Sequence, residues 1–262
     1  MKWISHLPGC SSISVSGDVI ERSLAIVADA PWLSDLSLNG HSGKQQRPLV
    51  DLAPLRAAGR LRKFSINNAA IDRRSLESLS ELRSLTSLHL QDVDLSADGA
   101  HGLAALRHLR KFSASFIALP TDSIARLAEL PRECDVSLAC HSPDDALLAQ
   151  IAAIPQLRGL TLVGGAATDR GLAAFRGHRR LQTLSCDRIA GVTDAALESI
   201  AMLTELQRLN LSEVSITNAG IMRLSNASNL IGLRLRGTRV TQEAVDLLRT
   251  QRPGLSVDWW LF

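Results

Sequence analysis

Residues 85–106 read LTSLHLQDVDLSADGAHGLAAL, and the spacing of the leucines in this stretch recurs through most of the chain. A strand-plus-helix unit of about 20 to 29 residues buries its apolar face only against neighbouring units, so a fixed period of this length predicts a solenoid. Successive units are 24 residues long, with one of 25, and open on a variant of L-x-x-L-x-L at Leu61, Leu85, Leu109, Glu133, Leu157, Leu181, Leu206, Leu230 and Gly254.

The apolar positions inside one unit indicate its secondary structure. Leu209 and Leu211 lie two residues apart and so share one face of a short strand, because side chains alternate along a strand. Ile221 and Leu224 lie three residues apart, which is the spacing of the inner stripe of a helix. We therefore predict an α/β fold, a curved leucine-rich repeat solenoid with parallel strands on the concave face and helices on the convex face.

The repeats fill almost the whole chain. Eleven strand sites run from near Ile13 to near Val257. The unit at Leu33 begins 28 residues before Leu61, and its excess falls in GHSGKQQR, residues 40–47, which predicts a polar, basic surface loop. A single domain over residues 1–262 then consists of an N-terminal capping unit at 1–32, repeats at 33–252 and a C-terminal cap at 253–262.

The chain ends on four large apolar side chains, those of Trp259, Trp260, Leu261 and Phe262. Terminal repeats expose the face that interior repeats bury, so these residues are predicted to plug the last unit. A contact with a second copy or with a partner, or a cut where a further domain was removed, is the alternative. We expect a monomer, with dimerisation through these aromatics as the other possibility.

Helix starts are marked by a hydroxyl or acidic residue followed by acidic or small residues. A Ser or Thr side chain accepts a hydrogen bond from an unpaired amide of the first turn, and a carboxylate favours the positive helix end. The pattern recurs from unit to unit, whereas a catalytic site would occur once, so we interpret these residues as caps. The predicted helix starts are Ser142–Asp145, Thr168-Asp169, Thr193-Asp194, Thr217-Asn218 and Thr241–Glu243.

The composition argues against nucleic acid as a partner. The net charge of +3 arises from 29 basic and 26 acidic residues that are interleaved along the chain. Aromatic residues make up 3% of the chain, and Tyr is absent. Neither the basic patch nor the stacking aromatics that nucleic-acid-binding proteins use are therefore indicated.

The cysteines and histidines predict no metal site and no bound cofactor. His101 and His108 are predicted on one helix, whereas His89 lies on the opposite side of the same unit, so no three histidines converge. Free thiols favour a reduced, cytoplasmic environment. The cysteines match neither a zinc motif nor a dense disulfide framework in their spacing: Cys10, Cys134, Cys140 and Cys186.

The N-terminal segment leaves two localisations open. Residues 1–17 lack the apolar core of a cleaved secretory signal, and no stretch of the chain approaches the roughly 18 apolar residues that cross a bilayer. We therefore expect neither membrane insertion nor export by the general pathway, which favours the cytoplasm. The same segment is rich in serine, which also suits secretion into a host cell by a type III route.

A second pattern in the units carries a family resemblance. It consists of Leu85, Leu88, Leu90, Leu95, Gly99, Ala100, Leu103 and Ala104, with related versions at Thr168–Leu172 and Thr193–Leu197. This pattern resembles the GALA-type, ribonuclease-inhibitor-like repeats of plant-pathogenic bacteria. The resemblance implies an injected effector, and some such effectors recruit host ubiquitin-ligase components through an F-box ahead of the repeats. Because the first unit already begins at Cys10, we expect no F-box here and do not carry the ligase role over.

The units also depart from the common leucine-rich pattern at their ninth position. An Asn there satisfies backbone groups in the turn, so this chain is expected to use other hydrogen bonds or water. The residues found at that position are His41, Ala69, Val93, Ile117, His141, Gly165, Ile189, Val214 and Thr238.

Strand residues between the core positions are predicted to line the concave face. Small hydroxyls dominate there, which fits either an open groove or the preference of strands for compact polar residues. Phe116, Cys140 and Val163 fall on three successive strands and predict an apolar contact patch, with Asp135 beside it and His89 further along the face. Alternatively, Phe116 folds back into the core.

A basic cluster is predicted near the C-terminal end of this face. Arg208, Arg234 and Arg236 fall on adjacent strands, with Asp187 and Glu213 nearby. Guanidinium groups bind carboxylates or phosphates in bidentate fashion. A solvated, partly paired surface is the other interpretation.

These observations predict a non-catalytic protein–protein interaction module that holds a protein partner on its concave face. One version is a bacterial type III-secreted effector that acts on a host protein. The alternative is an intracellular scaffold or enzyme inhibitor that is not secreted. An enzyme with a site in the serine-lined groove is a third class, but the sequence supplies no pair of base and nucleophile for it.

Overall fold

The computed structural model describes residues 11–17, 20–40, 47–95, 99–115 and 121–260, and within these ranges eleven strands alternate with helices. The strands are β1 (Ser12–Ser16), β2 (Asp35–Asn39), β3 (Lys63–Ile71), β4 (Ser87–Leu95), β5 (Lys111–Ser115), β6 (Asp135–His141), β7 (Leu157–Val163), β8 (Thr183–Asp187), β9 (Arg208–Ser212), β10 (Gly232–Arg236) and β11 (Ser256–Trp260). The helices are α1 (Ile20–Ala28), α2 (Arg73–Ser80), α3 (Gly99–Leu103), α4 (Thr121–Arg126), α5 (Asp145–Ala152), α6 (Asp169–Ala173), α7 (Ala196–Ile200), α8 (Asn218–Met222) and α9 (Gln242–Gln251). Short 3-10 helices lie at Ala53–Ala57, Leu127–Glu129 and Arg223–Asn226.

The strands are ordered as they occur in the chain, from β1 to β11, and run parallel. This arrangement confirms the predicted α/β repeat fold with its period of roughly 24 residues. The chain divides into two compact units, Met1–Val136 and Ser137–Phe262. The single domain with a cap at each end stays a prediction, as does the curvature of the sheet.

The strand register follows the sequence period. Phe64 pairs with Leu88, and Leu88 pairs with Phe112, at a spacing of 24 residues each. Leu184 pairs with Leu209 across the spacing of 25, so the additional residue is accommodated outside the strands. The same face of every strand is therefore buried from one repeat to the next.

Alternate strand residues point into the core. In β4, Leu88 and Leu90 are buried, whereas Ser87, His89 and Gln91 between them are half-buried. Apolar residues on one side of a sheet are covered by the packed helices of the repeat, which leaves the other side uncovered. We call the side that carries Ser87, His89, Gln91 and their register equivalents the strand face.

In the turns after β8 and β9, where the common pattern has an Asn, backbone bonds link the turn to the following repeat. The Arg188 amide donates to the carbonyl of Ser212 at 3.0 Å, and the Glu213 amide donates to the carbonyl of Arg236 at 2.7 Å. The ninth position is then free to hold a core residue such as Ile189, which is fully buried. The eighth residue of the unit has positive φ at Asn68, Asp92, Gly164, Arg188, Glu213 and Gly237.

The predicted caps form a second series of links between repeats. The carboxylate of Asp145 accepts from both the backbone amide and the hydroxyl of Thr168, each at 2.8 Å. Asn218 provides an amide version of this link, since its Oδ1 accepts from the Thr241 amide at 2.9 Å. The carboxylate version recurs between Asp169 and Thr193 and between Asp194 and Thr217.

The capping prediction holds for Thr168 and Thr241 but was wrong in detail elsewhere. Helix α5 is capped by Asp144, which accepts from the Leu147 amide at 2.8 Å, whereas Ser142 has a φ of 49° in the preceding turn. Thr217 makes no capping bond to its own helix, although its hydroxyl donates to Asp194 as that of Thr168 donates to Asp145. The carboxylates thus serve the neighbouring repeat more than their own helix.

Asp145 provides a pH-dependent link. Burial raises its pKa, but hydrogen bonds from Thr168 and the Gly171 backbone outweigh burial and hold the pKa below its usual value. A carboxylate with a lowered folded pKa stabilises the fold above its unfolded pKa, and this stability is lost as pH falls through the folded pKa.

We expect Asp145→Asn to cost on the order of 1 kcal/mol at pH 7, because an amide retains one acceptor, as Asn218 does. Thermal unfolding measured between pH 7 and pH 2 should show a smaller acid destabilisation in the variant than in the parent chain. Parallel pH profiles for the two proteins would contradict the role assigned to this carboxylate. Asp29→Asn, the same change at an exposed carboxylate after α1, is the control.

The predicted basic loop lies largely outside the described residues, which omit 41–46. At its end, Arg47 is paired with Asp94 and lies 3.8 Å from Asp92, both on β4. The basic character predicted for the segment is therefore partly neutralised at Arg47.

Only some of the large apolar residues at the C-terminus lie within the described residues. Trp259 lies half-buried in β11, and its indole Nε1 donates to the carbonyl of Val240 at 3.0 Å. Leu261 and Phe262 lie outside the described residues. The plug and the dimer contact both stay predictions.

Candidate functional site

The strand face is built from short polar side chains that bond to one another across strands. His89 Nδ1 lies 2.7 Å from Ser113 Oγ on the next strand. Asn39 Nδ2 donates to Ser14 Oγ at 3.0 Å, and Asn67 Nδ2 donates to Asn39 Oδ1 at 2.5 Å. In the first compact unit, Met1–Val136, hydroxyls of the strand face therefore take part in hydrogen bonds between neighbouring strands.

The pair of His89 and Ser113 has the composition of a base and a nucleophile, and its two side chains lie on neighbouring strands. An acyl-transfer site needs unpaired donors aimed at the developing oxyanion. His89 and Ser113 face each other in the register of β4 and β5, where backbone amides are used in the parallel ladder. We therefore interpret this contact as a cross-strand hydrogen bond.

The predicted apolar patch is only partly described. Phe116 lies outside the described residues, and Asp135 begins β6 as a half-buried residue of the first compact unit. Cys140 and Val163 are half-buried residues of the second unit. Burial raises the pKa of the Cys140 thiol to about 11, so it is a neutral thiol at physiological pH and contributes apolar surface. The patch around Phe116 stays a prediction.

Cys186 belongs to the core, as predicted, and burial raises the pKa of its thiol to about 12. The histidine prediction was wrong in one respect, because α3 ends at Leu103 and His108 lies in the following turn. Among the described residues, no group of three or more His, Cys, Asp or Glu side chains is placed to hold a metal ion. Within the same residues, no helix is long and apolar enough to span a membrane.

A cavity of about 370 Å³ opens on the strand face of β8 to β11. It lies over Gly232, which has Arg208 as its register partner on β9 and Ser256 as its partner on β11. Gly232 contributes no side chain, and Ser256 and Thr183 contribute short ones, so the strand backbones are accessible at this point. The cavity is lined by Thr183, Leu184, Ser185, Arg208, Leu209, Asn210, Gly232, Leu233, Arg234, Ser256 and Asp258.

Two of the three predicted arginines line this cavity. Arg208 is exposed and makes no ion pair or side-chain hydrogen bond within the part of the chain that the structure describes. Arg234 Nε donates to Asp258 Oδ2 at 2.8 Å. Arg236 is exposed and lies opposite Trp260 in the register of β10 and β11. The basic cluster is thus partly paired. It keeps features of both interpretations from the sequence, a cluster that binds an anion and a solvated, partly paired surface.

The acidic residue that pairs with the basic cluster is Asp258, whereas the sequence indicated Asp187 and Glu213. Asp187 lies 3.2 Å from its own neighbour Arg188, while Asp258 on the last strand pairs with Arg234. Extending the unit offsets into the final repeat would have placed Asp258 beside Arg234. A glycine inside a strand, as at Gly232, is also a sequence signal for a gap or a close approach.

No protein-family model matches the sequence, and no curated protein matches it. Among solved structures, an internalin from Listeria monocytogenes, a leucine-rich repeat protein, is similar in fold with a TM-score of 0.51 and 16% sequence identity. The match covers 95% of this chain and 86% of the internalin chain. It does not test the resemblance to GALA-type repeats. The chain therefore has the fold of a leucine-rich repeat protein, with parallel strands and helices alternating along nearly its whole length.

Proposed function

We propose that this chain is a non-catalytic interaction module that holds a protein partner on its strand face. The observation that carries the proposal is the cavity over Gly232, with exposed arginines at its rim. A partner segment could reach the strands there without displacing a large side chain. Specific recognition by proteins commonly combines such a recess with polar groups around it.

The short side chains on neighbouring strands support this proposal. Ser185 and Asn210 lie on the floor of the cavity and are linked by a hydrogen bond of 2.8 Å from Asn210 Nδ2 to Ser185 Oγ. Ser212 Oγ donates to Asn210 Oδ1 at 2.6 Å, which fixes the amide orientation. A surface whose polar groups are already held in place loses little conformational entropy when a partner binds.

Site-directed photocrosslinking would test which face binds. We would place benzoylphenylalanine at Arg236, an exposed position of the strand face that does not line the cavity, and, as the control, at Leu247 on α9, where the native side chain is 51% exposed. Lysates of bacterial and host cells would be irradiated with each variant. The proposal expects one protein that crosslinks from position 236 and not from position 247. Crosslinks confined to position 247, or none from position 236, would contradict it.

The apolar patch predicted from sequence gives a second contact to test. We expect Phe116→Arg to abolish capture of the crosslinked partner and to leave the thermal unfolding midpoint nearly unchanged. Binding would be lost because a charged side chain replaces an apolar anchor. A markedly lowered unfolding midpoint would instead place Phe116 in the core and remove it from the binding surface.

The finer proposal is that the module is an effector delivered into a host cell by a type III route. It rests on the serine-rich residues 1–17 and on the resemblance of the repeats to GALA-type sequences. A reporter fused to residues 1–32 should be delivered by a bacterium that carries such a system. Retention of the reporter in the bacterium would leave the intracellular scaffold or enzyme inhibitor as the function.

A further inference from the structure

We infer that the cavity over Gly232 binds an acidic side chain of the protein partner, with the carboxylate held by the Arg208 guanidinium. This inference rests on the proposed function and identifies the chemistry of the contact. It is carried by three features of the cavity: the space over Gly232, the charge at its rim and the Ser185 hydroxyl on its floor.

The backbone conformation does not require a glycine at position 232. A Cβ atom added at Gly232 would meet only Arg208 Cγ, at 3.8 Å, which is an ordinary van der Waals contact. The residue also lacks the positive φ that favours glycine at Gly164 and Gly237. A larger residue would therefore fit the strand, and the effect of glycine at this position is to keep the cavity open.

The rim of the cavity is positively charged. Arg208 has all of its guanidinium donors available within the described part of the chain, and two donors in a planar fork match the geometry of a carboxylate. Arg234 uses its Nε on Asp258, which holds the guanidinium at the rim. One carboxylate therefore faces two cations here, and the remaining positive charge favours an acidic ligand.

The floor of the cavity adds a hydroxyl donor to the charge at the rim. Leu184, Leu209 and Leu233 belong to its lining, but their side chains are buried in the core, so the floor at these positions is strand backbone. Ser185 Oγ accepts from Asn210, which leaves the Ser185 hydroxyl hydrogen available to a ligand. A carboxylate accepts hydrogen bonds from both a hydroxyl and a guanidinium group, and Glu carries its carboxylate on a longer stem than Asp.

The inference can be tested on the full chain by NMR titration. The probe is acetyl-Glu-Glu-Glu-Glu-amide, with the corresponding Gln peptide and a phosphoserine peptide as comparisons. We expect saturable shifts of the amides of Gly232 and Arg208 with the Glu peptide and at least tenfold weaker binding of the Gln peptide. Tighter binding of the phosphoserine peptide, or no binding of the Glu peptide, would overturn the assignment to a carboxylate.

Two variants separate this site from general electrostatic attraction. Arg208→Gln should weaken the Glu peptide at least tenfold, whereas Arg170→Gln, the same change of charge on α6, should alter affinity less than twofold. Gly232→Val should weaken binding at least tenfold by filling the cavity, whereas Ser87→Val at the equivalent position of β4 should not. Equal effects of the two arginine changes would overturn the inference.

The outcome is distinguishable from that of the proposed function. If a protein crosslinks from position 236 but neither Arg208→Gln nor Gly232→Val affects the Glu peptide, the strand face binds a partner without an acidic anchor. If the peptide binds as described and no protein crosslinks, the anchor site stands and the proposed module fails. Thermal unfolding of each variant shows whether the chain is still folded; Arg208 is exposed and Gly232 is half-buried on the strand face.

Discussion

Gly220→Ala is expected to lower the free energy of unfolding by about 3 kcal/mol, although alanine is the better helix former. A Cβ atom at Gly220 would lie 2.1 Å from Asp194 Oδ1 and 2.7 Å from Asp194 Cγ. The carboxylate must then move, which breaks its bonds to the Thr217 amide at 2.8 Å and to the Thr217 hydroxyl at 2.5 Å. Hydrogen bonds to charged groups contribute about 1.5 to 3 kcal/mol each.

The sign of the effect makes this experiment decisive. Helix propensity alone predicts that Gly→Ala in a helix stabilises by roughly 1 kcal/mol. The close approach to Asp194 predicts destabilisation, with a fall in the thermal unfolding midpoint of about 8 °C for a chain of this size. A variant as stable as the parent chain would show that the link between Asp194 and Thr217 contributes little.

Two controls isolate the clash at Gly220. Gly254→Ala introduces a Cβ atom with no neighbour within 4 Å, so its stability should change by less than about 0.5 kcal/mol. In an Asp194→Ala background, Gly220→Ala should cost much less, because the atom that the new methyl group meets has been removed. The coupling energy from this double-mutant cycle measures the interaction directly.

The link between Asp194 and Thr217 illustrates which parts of the fold the sequence predicts. The leucine period predicted the strand register, because core positions repeat with the strand pairing. The Thr-Asp pairs predicted helix starts, but the bond from Asp194 to Thr217 in the next repeat was not predicted. A carboxylate in the first turn of a helix fits both a cap and a link between repeats, and only the relative position of two repeats distinguishes them.

The candidate site was predicted less completely than the fold. Offsets placed Arg208 and Arg234 on adjacent strands, which the structure confirms. The cavity was not predicted, because it depends on a missing side chain at Gly232 and on the pairing of Arg234 with Asp258. Side-chain pairing depends on conformations that a repeat pattern does not specify.

Arg252→Ala is expected to destabilise the chain by about 3 kcal/mol, the second large effect. The Arg252 guanidinium is directed at the backbone of the preceding repeat, where Nη1 donates to the carbonyl of Ala227 at 2.5 Å. Nη2 donates to the carbonyls of Ser228 at 3.1 Å and Leu230 at 2.9 Å. These carbonyls belong to the turn that leads into β10, so one side chain fixes the approach to that strand.

The expected magnitude follows from the groups left without partners. Removing a partner from a buried or half-buried carbonyl costs about 1 to 3 kcal/mol, and water can replace the more exposed of these bonds. Arg252→Lys should recover only part of the loss, because an ammonium group lacks the planar fork that reaches several carbonyls at once. Thermal and urea unfolding of both variants would measure the difference.

Arg73→Ala is the matched control, since Arg73 makes an exposed ion pair with Glu77 at 2.6 Å on α2. Exposed pairs of this kind contribute about 0.3 to 0.5 kcal/mol. High salt should reduce the effect of Arg73→Ala through screening, whereas the larger effect of Arg252→Ala should persist because carbonyl groups carry no net charge. If Arg252→Ala and Arg73→Ala prove equally mild, the turn into β10 is held by its own apolar packing, in which Leu230 and Ala227 are buried.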